Sequence, residues 1–186
     1  DRPLYQEYTL ARDDGGCIRL PADGEPDVVL MSQLFGTVLH AFYKLGNLIG
    51  HDVVVLGQGP VGQLFNAALR NLGARRIVAV DPVAHRREVS ARMGATHALA
   101  PGDGLKEQVL AITGGDLPHM VVEAVGLAHT FHVAADLVRR NGTILYFGVP
   151  DKEAGHGVME LDFFRMFRNE VRIVTTVGPN PHADYA

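Results

Sequence analysis

Apolar residues in this chain fall into short continuous runs, separated by longer stretches that read as helices. His51-Asp52-Val53-Val54-Val55-Leu56 is the first run and Arg76-Ile77-Val78-Ala79-Val80-Asp81 the second, with an apolar helical stretch between them. Val83 to Met93 predicts a further helix stopped by Gly94, since helices commonly end on a left-handed glycine. His97-Ala98-Leu99 predicts a third strand, and Leu105 to Ile112 a helix ended by Gly114-Gly115. Met120 to Ala124 predicts a fourth strand, Ala128 to Arg140 a helix closed by Asn141-Gly142, and Thr143 to Phe147 a fifth strand. Strands alternating with helices through short glycine-rich connections imply a parallel sheet covered on both faces. Burial on both faces also explains why the strands are apolar throughout rather than at every second residue. The expected fold class is therefore α/β, a doubly wound parallel sheet in three layers.

The two ends follow a different pattern. Residues 1–26 are polar and broken by Gly15-Gly16, Pro21 and Pro26, with short extended pieces such as Cys17 to Leu20. Asp27 to Leu45 predicts a largely apolar helix leading into the first strand. Near the other end, Val158 to Leu161 and Val171 to Val177 predict further strands on either side of Phe163-Phe164-Arg165-Met166-Phe167. After Gly178 the chain ends in Pro, Asn and His. The organisation expected is a small appendage over 1–26, one domain over 27–178 and a tail over 179–186.

The first strand runs into Gly57-Gln58-Gly59-Pro60-Val61-Gly62. A lone G-x-G-x-x-G is weak, but a strand–turn–helix–strand context gives it a physical meaning, the Rossmann dinucleotide turn. Gly57 allows the tight turn, Gly59 lets a pyrophosphate approach the backbone, and Gly62 lets the helix pack close to the sheet. Phosphates would then lie at a helix N-terminus, where unpaired N–H groups and the helix dipole favour an anion. Pro60 fits the first helical position because its missing N–H would have no partner there. Asp81 follows Gly57 by 24 residues, close to the spacing of about 20 for a carboxylate that receives adenosine ribose hydroxyls. A 2′-phosphate there would face like charge, so NAD is expected over NADP. Arg86 is read as lying over the adenosine side. The competing reading is a glycine-rich turn with no ligand and an Asp that caps a turn.

Composition narrows the classes without naming a function. With 47% hydrophobic and 20% charged residues, the 186-residue chain suits one packed soluble domain. A formal net charge of −4 without a basic block gives no reason to expect nucleic acid or an anionic membrane as partner. No apolar run reaches the roughly 18 residues of a membrane span. The single cysteine, Cys17, excludes an intrachain disulfide and any CxxC metal site. A cytoplasmic setting is expected. The chain opens on Asp1-Arg2-Pro3 rather than Met, as a piece of a longer protein would.

Taken in order, these motifs resemble the medium-chain dehydrogenase/reductase family, in particular its zinc-type alcohol and sorbitol dehydrogenase-like branch, over roughly residues 17–178. Leu34-Phe35-Gly36-Thr37-Val38-Leu39-His40-Ala41 resembles that family's linker helix, Val121 to Gly126 its fourth strand and following turn, and Gly142 to Pro150 its fifth strand. The resemblance implies that residues 1–26 are a remnant of the GroES-like catalytic domain. It also implies that Val125 and Gly126 approach the adenosine side of the cofactor. Phe147, Gly148, Val149 and Thr176 would hold the nicotinamide carboxamide through backbone groups, and Thr37 would pack against the nicotinamide. Simple core or strand-end packing is the competing reading for these positions. A homodimer formed by antiparallel pairing of edge strands near Val158 to Leu161 is a further implication.

The zinc chemistry of that branch does not carry over. The family's catalytic lobe supplies a Cys and a His–Glu pair, and none of that pattern is present here. A further ligand would fall near Gln33, and a neutral amide is a poor partner for zinc. No zinc is expected in this chain, although a full-length parent could hold one. His129 and His132 share a helix face at i, i+3, but no Cys or carboxylate at motif spacing completes a site. His40 reads as a partly buried helix residue, and Cys17 lacks the partners of a nucleophile. No residue of this chain is assigned a catalytic role.

The leading expectation is the NAD-binding domain of an oxidoreductase that passes hydride between nicotinamide and an alcohol or carbonyl carbon, binding cofactor without turnover by itself. The alternatives are a non-catalytic nucleotide-binding or assembly module, and a methyltransferase using S-adenosylmethionine. The latter class more often shows G-x-G-x-G, and fold resemblance alone does not separate the three.

Overall fold

The computed structural model describes residues 21–150 and 159–178. Helix α1 (Pro26–Tyr43) leads into β1 (Asp52–Leu56), α2 (Pro60–Asn71), β2 (Arg76–Val80), α3 (Ala84–Arg92) and β3 (His97–Leu99). The second half runs α4 (Leu105–Thr113), β4 (Met120–Glu123), α5 (Ala128–Leu137), β5 (Thr143–Tyr146), α6 (Phe163–Arg168) and β6 (Arg172–Thr175). All strand pairs are parallel and the order is β3-β2-β1-β4-β5-β6. Chain direction across the sheet reverses between β1 and β4, and such a switch point opens a crevice beyond the strand ends.

Pleating explains the strand composition. Val54 and Leu56 face a core shared with Val109, Phe131, Leu137 and Met166 from α4, α5 and α6. Val53 and Val55 face the opposite core, built with Val38 and Ala41 of α1 and Phe65 and Leu69 of α2. Neither face of the central strands meets water, so neither set of alternating positions is polar.

Two expectations need correction. The strand expected at Val158 to Leu161 is absent from its described part, since residues 159–161 adopt no regular structure; Val158 itself lies outside the described residues, as do Cys17 to Leu20 and the tail 179–186. Of that segment's main chain, the Glu160 carbonyl meets a side chain, His132 Nε2 at 2.9 Å. The phenylalanine cluster that follows, to which the sequence pattern assigns no element, is a helix started by Asp162, whose Oδ1 accepts the Arg165 N–H at 3.0 Å. Finally, α5 stops at Leu137 because Val138 turns extended (ψ 137°) and buries its side chain under the sheet.

At the N-terminal ends of the strands, His51 and His119 stack with ring centroids 4.6 Å apart. The Asp52 N–H donates to His119 Nδ1 at 3.2 Å, and buried Asp52 pairs with Arg75 and Arg76. Partial burial, followed by the charge of Arg139, lowers both imidazole pKa values below the ordinary 6.5. The folded state therefore favours the neutral rings. Stability is fully held above the unfolded value of about 6.5 and is lost as pH falls from there through the folded values. The melting temperature is expected to fall between about pH 7.5 and about pH 5.5, and to fall less in the double variant His51→Phe/His119→Phe. Equal drops in the two proteins by circular dichroism would rule out the histidine pair as the cause.

Candidate functional site

At the C-terminal end of β1 the chain must turn sharply to enter α2, and Gly57 does so at φ 90°, in the left-handed region. A Cβ on Gly57 would lie 2.7 Å from Val125 Cγ2, so the turn after β1 touches the turn after β4. A Cβ on Gly62 would lie 1.9 Å from the Gly57 carbonyl oxygen, which shows how closely α2 is drawn onto the turn. Gly59 differs: a Cβ there meets nothing within 4 Å. It is also the N-cap of α2, with no side-chain cap on the helix and Pro60 in its first turn. Uncapped N–H groups at a helix start, beside an open backbone face, form an anion cradle.

Asp81 follows β2 and is 2% exposed. Its Oδ2 accepts the Gln58 N–H at 2.7 Å and its Oδ1 the Val83 N–H at 2.8 Å. Each oxygen keeps one lone pair for a further donor. Arg86 Nη1 stands 3.6 Å from Asp81 Oδ2. Arg87 turns back instead, donating to the Asp81 and Pro82 carbonyls at 2.7 and 2.8 Å.

Gly57, Gly59, Asp81, Arg86 and Val125 line one cleft of about 440 Å³, together with Pro82, Pro101, Leu105, Leu127, His129, Thr130 and Val133. Its mainly apolar lining with one carboxylate and one guanidinium suits an adenosine-sized group. Gly126 and Gly148 adjoin each other, since a Cβ on Gly148 would lie 2.1 Å from the Gly126 nitrogen. Phe147 packs against Phe65, edge to face at 5.0 Å, and its N–H donates to the Glu123 carbonyl at 2.9 Å. Val149 is exposed. Val61 packs partly against the core. Thr37 lies on α1 with its hydroxyl bonded to the Leu34 carbonyl at 2.7 Å, and the Thr176 hydroxyl is buried without a partner after β6. Neither threonine lines the cleft.

Sequence reasoning missed the polar supports below it. Gln58, 1% exposed, donates from Nε2 to the Val55 carbonyl at 3.0 Å and accepts from Asn66 Nδ2 at 2.7 Å. Gln63 Nε2 reaches the Gln58 and Arg86 carbonyls at 3.2 and 2.9 Å, tying the turn to α3. The available signal was two amides, Gln63 and Asn66, on the face of α2 that also carries Phe65 and Leu69. Glu123, fully buried at the end of β4, accepts the N–H groups of Val125 and Gly126, each at 3.0 Å. Burial, and secondly the negative charge of Glu123, push the Tyr146 phenol above its ordinary range. Among the described residues no group of three or more His, Cys, Asp or Glu is placed to hold a metal ion.

The sheet order and the turn at its switch point define a Rossmann-type dinucleotide-binding domain. The sequence model of a family described as zinc-binding dehydrogenase matches residues 60–186. The chain belongs to that family and corresponds to its cofactor-binding domain. L-threonine 3-dehydrogenase of Shewanella sediminis is 30% identical over 139 residues, covering 73% of this chain and 40% of that protein. The chain thus spans about two fifths of the length of such a relative. L-idonate 5-dehydrogenase of Escherichia coli superimposes with a TM-score of 0.78 at 20% identity, over 91% of this chain and 46% of that one. A Sinorhizobium meliloti protein classed with the zinc-binding dehydrogenases and bound to NADP gives 0.77 at 24% identity, over 89% and 48%.

Proposed function

We propose that this chain binds NAD(H) in the cleft beside Asp81, as the cofactor domain of an alcohol or polyol dehydrogenase-like oxidoreductase. Bound nicotinamide would supply the hydride chemistry, with an alcohol or carbonyl compound as substrate. The carrying observation is Asp81: it lines the cleft, and its two oxygens are fixed by main-chain N–H groups with lone pairs to spare. The chain's own groups would bind and orient. Turnover by the chain alone is not expected, because it spans only 40% of the relative's length.

NAD over NADP is part of the proposal. An NADP-bound neighbour with the same fold leaves that choice to side chains. A 2′-phosphate would meet the Asp81 carboxylate, and Arg86 already has that carboxylate as its neighbour. Calorimetry is expected to give NAD an affinity at least about fivefold above NADP, with the ratio narrowing in Asp81→Asn. Equal affinities in the parent chain would refute the preference.

The remaining proposals follow from the same reading. The boundaries are a cofactor domain over 27–178, preceded by a catalytic-domain remnant and followed by a short tail. Zinc bound by this chain is not part of the proposal. The setting is cytoplasmic, and no helix among the described residues is long and apolar enough to cross a membrane. A homodimer paired through a sheet edge is part of the proposal, and among the described residues β6 is the last strand on its side of the sheet.

A further inference from the structure

Glu123 is a fully buried acid that the binding proposal leaves without a task. No salt bridge joins it to a cation among the described residues. Its donors instead come from the turn it introduces and from the next helix. Val125 N–H donates to Oε1 at 3.0 Å, and Gly126 N–H reaches Oε1 and Oε2 at 3.0 and 3.1 Å. The Thr130 hydroxyl lies 2.6 Å from Oε1 and 2.8 Å from the Leu127 carbonyl, so its one hydrogen is shared between a side chain of β4 and the backbone entering α5. The Glu123 carbonyl meanwhile accepts the Phe147 and Gly148 N–H groups at 2.9 and 3.0 Å. One residue thus fixes the turn after β4 from inside and ties it to the end of β5.

The outer surface of that turn is a wall of the cleft. Val125 and Leu127 are 43% and 50% exposed, and both line the cavity beside Asp81, as does Thr130. Exposed apolar side chains on a turn hold a planar ring only if their backbone is held. Here that backbone has the buried carboxylate and the Thr130 hydroxyl beneath it.

Resting on the dinucleotide reading above, the geometry points to Glu123 and Thr130 as positioning residues that together set the Val125–Leu127 wall against the adenosine half of the ligand. Neither touches the reacting atoms. Their effect is to present a preformed apolar surface, so that ligand binding does not also have to order the turn.

Thr130 provides a clean test because it is half-buried on a helix and its two trimmed forms separate hydroxyl from methyl. Thr130→Val keeps the shape and removes the hydroxyl; Thr130→Ser keeps the hydroxyl and removes the methyl. Calorimetry with ADP-ribose on the full chain is expected to show about a tenfold loss of affinity for Thr130→Val and parent-like affinity for Thr130→Ser. Glu123→Gln, which loses an acceptor oxygen facing the Gly126 N–H, is expected to weaken binding in the same direction. Unchanged affinity in Thr130→Val, or an equal loss in Thr130→Ser, would show that the hydroxyl positions nothing and overturn the inference. A parent chain that fails to bind ADP-ribose would overturn the dinucleotide reading as well, so the two failures are told apart.

Discussion

Gly62→Ala is expected to destabilise the fold and to abolish dinucleotide binding with it. The added methyl would sit 1.9 Å from the Gly57 carbonyl oxygen and 2.9 Å from its carbon. Both neighbours are backbone, so no side chain can swing aside. Either α2 lifts from the sheet or the turn after β1 opens, and each motion disturbs the packing of Phe65 and Leu69. Overpacking of this kind costs about 3 kcal/mol or more, a fall in melting temperature of roughly 10 °C for a chain of this length. Circular dichroism measures the first effect and calorimetry with NADH the second. A parent-like melting temperature would mean that the helix does not approach the turn as closely as described.

Gly59→Val is expected to do the reverse, leaving the fold intact while removing binding. Gly59 has φ −68° and ψ −174°, extended backbone open to any residue, and a Cβ there meets nothing within 4 Å. The melting temperature should stay within about 2 °C of the parent's. The valine would occupy the open face where a pyrophosphate must reach the first N–H groups of α2, and affinity for NADH should fall by about a hundredfold or more. Retained affinity in the folded variant would place the ligand elsewhere. The two glycines lie three residues apart, one facing the protein and one facing the cleft, so the pair separates structural from binding roles within a single turn.

Much of this was legible in the sequence for a definite reason. Strands buried on both faces cannot alternate, so residues 53–56 and 77–80 read as unbroken apolar runs, and G-x-G-x-x-G between them located the turn. Composition alone misled at Met159-Glu160-Leu161, because an apolar–polar–apolar triplet reads the same with or without a partner strand. Helix α6 was obscured by its phenylalanines, although Asp162 three residues before Arg165 carried a capping signal. The cleft's supports were hidden for another reason. Gln58, Glu123 and Thr130 act through hydrogen bonds between segments far apart in the chain, and no local pattern marks such partners. Asp81 was read from the sequence as the acid expected to receive ribose hydroxyls; that it anchors the Gln58 and Val83 N–H groups was visible only in three dimensions.

The stacked histidines and the glycine turn lie at opposite ends of the same strands. The five residues of β1 lie between His51 and Gly57, so the two are about 20 Å apart at an ordinary strand rise. Acid tolerance and the proposed cofactor choice are therefore expected to respond to separate sets of substitutions. Substitutions at His51 and His119 would tune the pH range over which the domain survives, while changes at Asp81 and Arg86 redirect it between nicotinamide cofactors, and at that separation the two sets should combine additively.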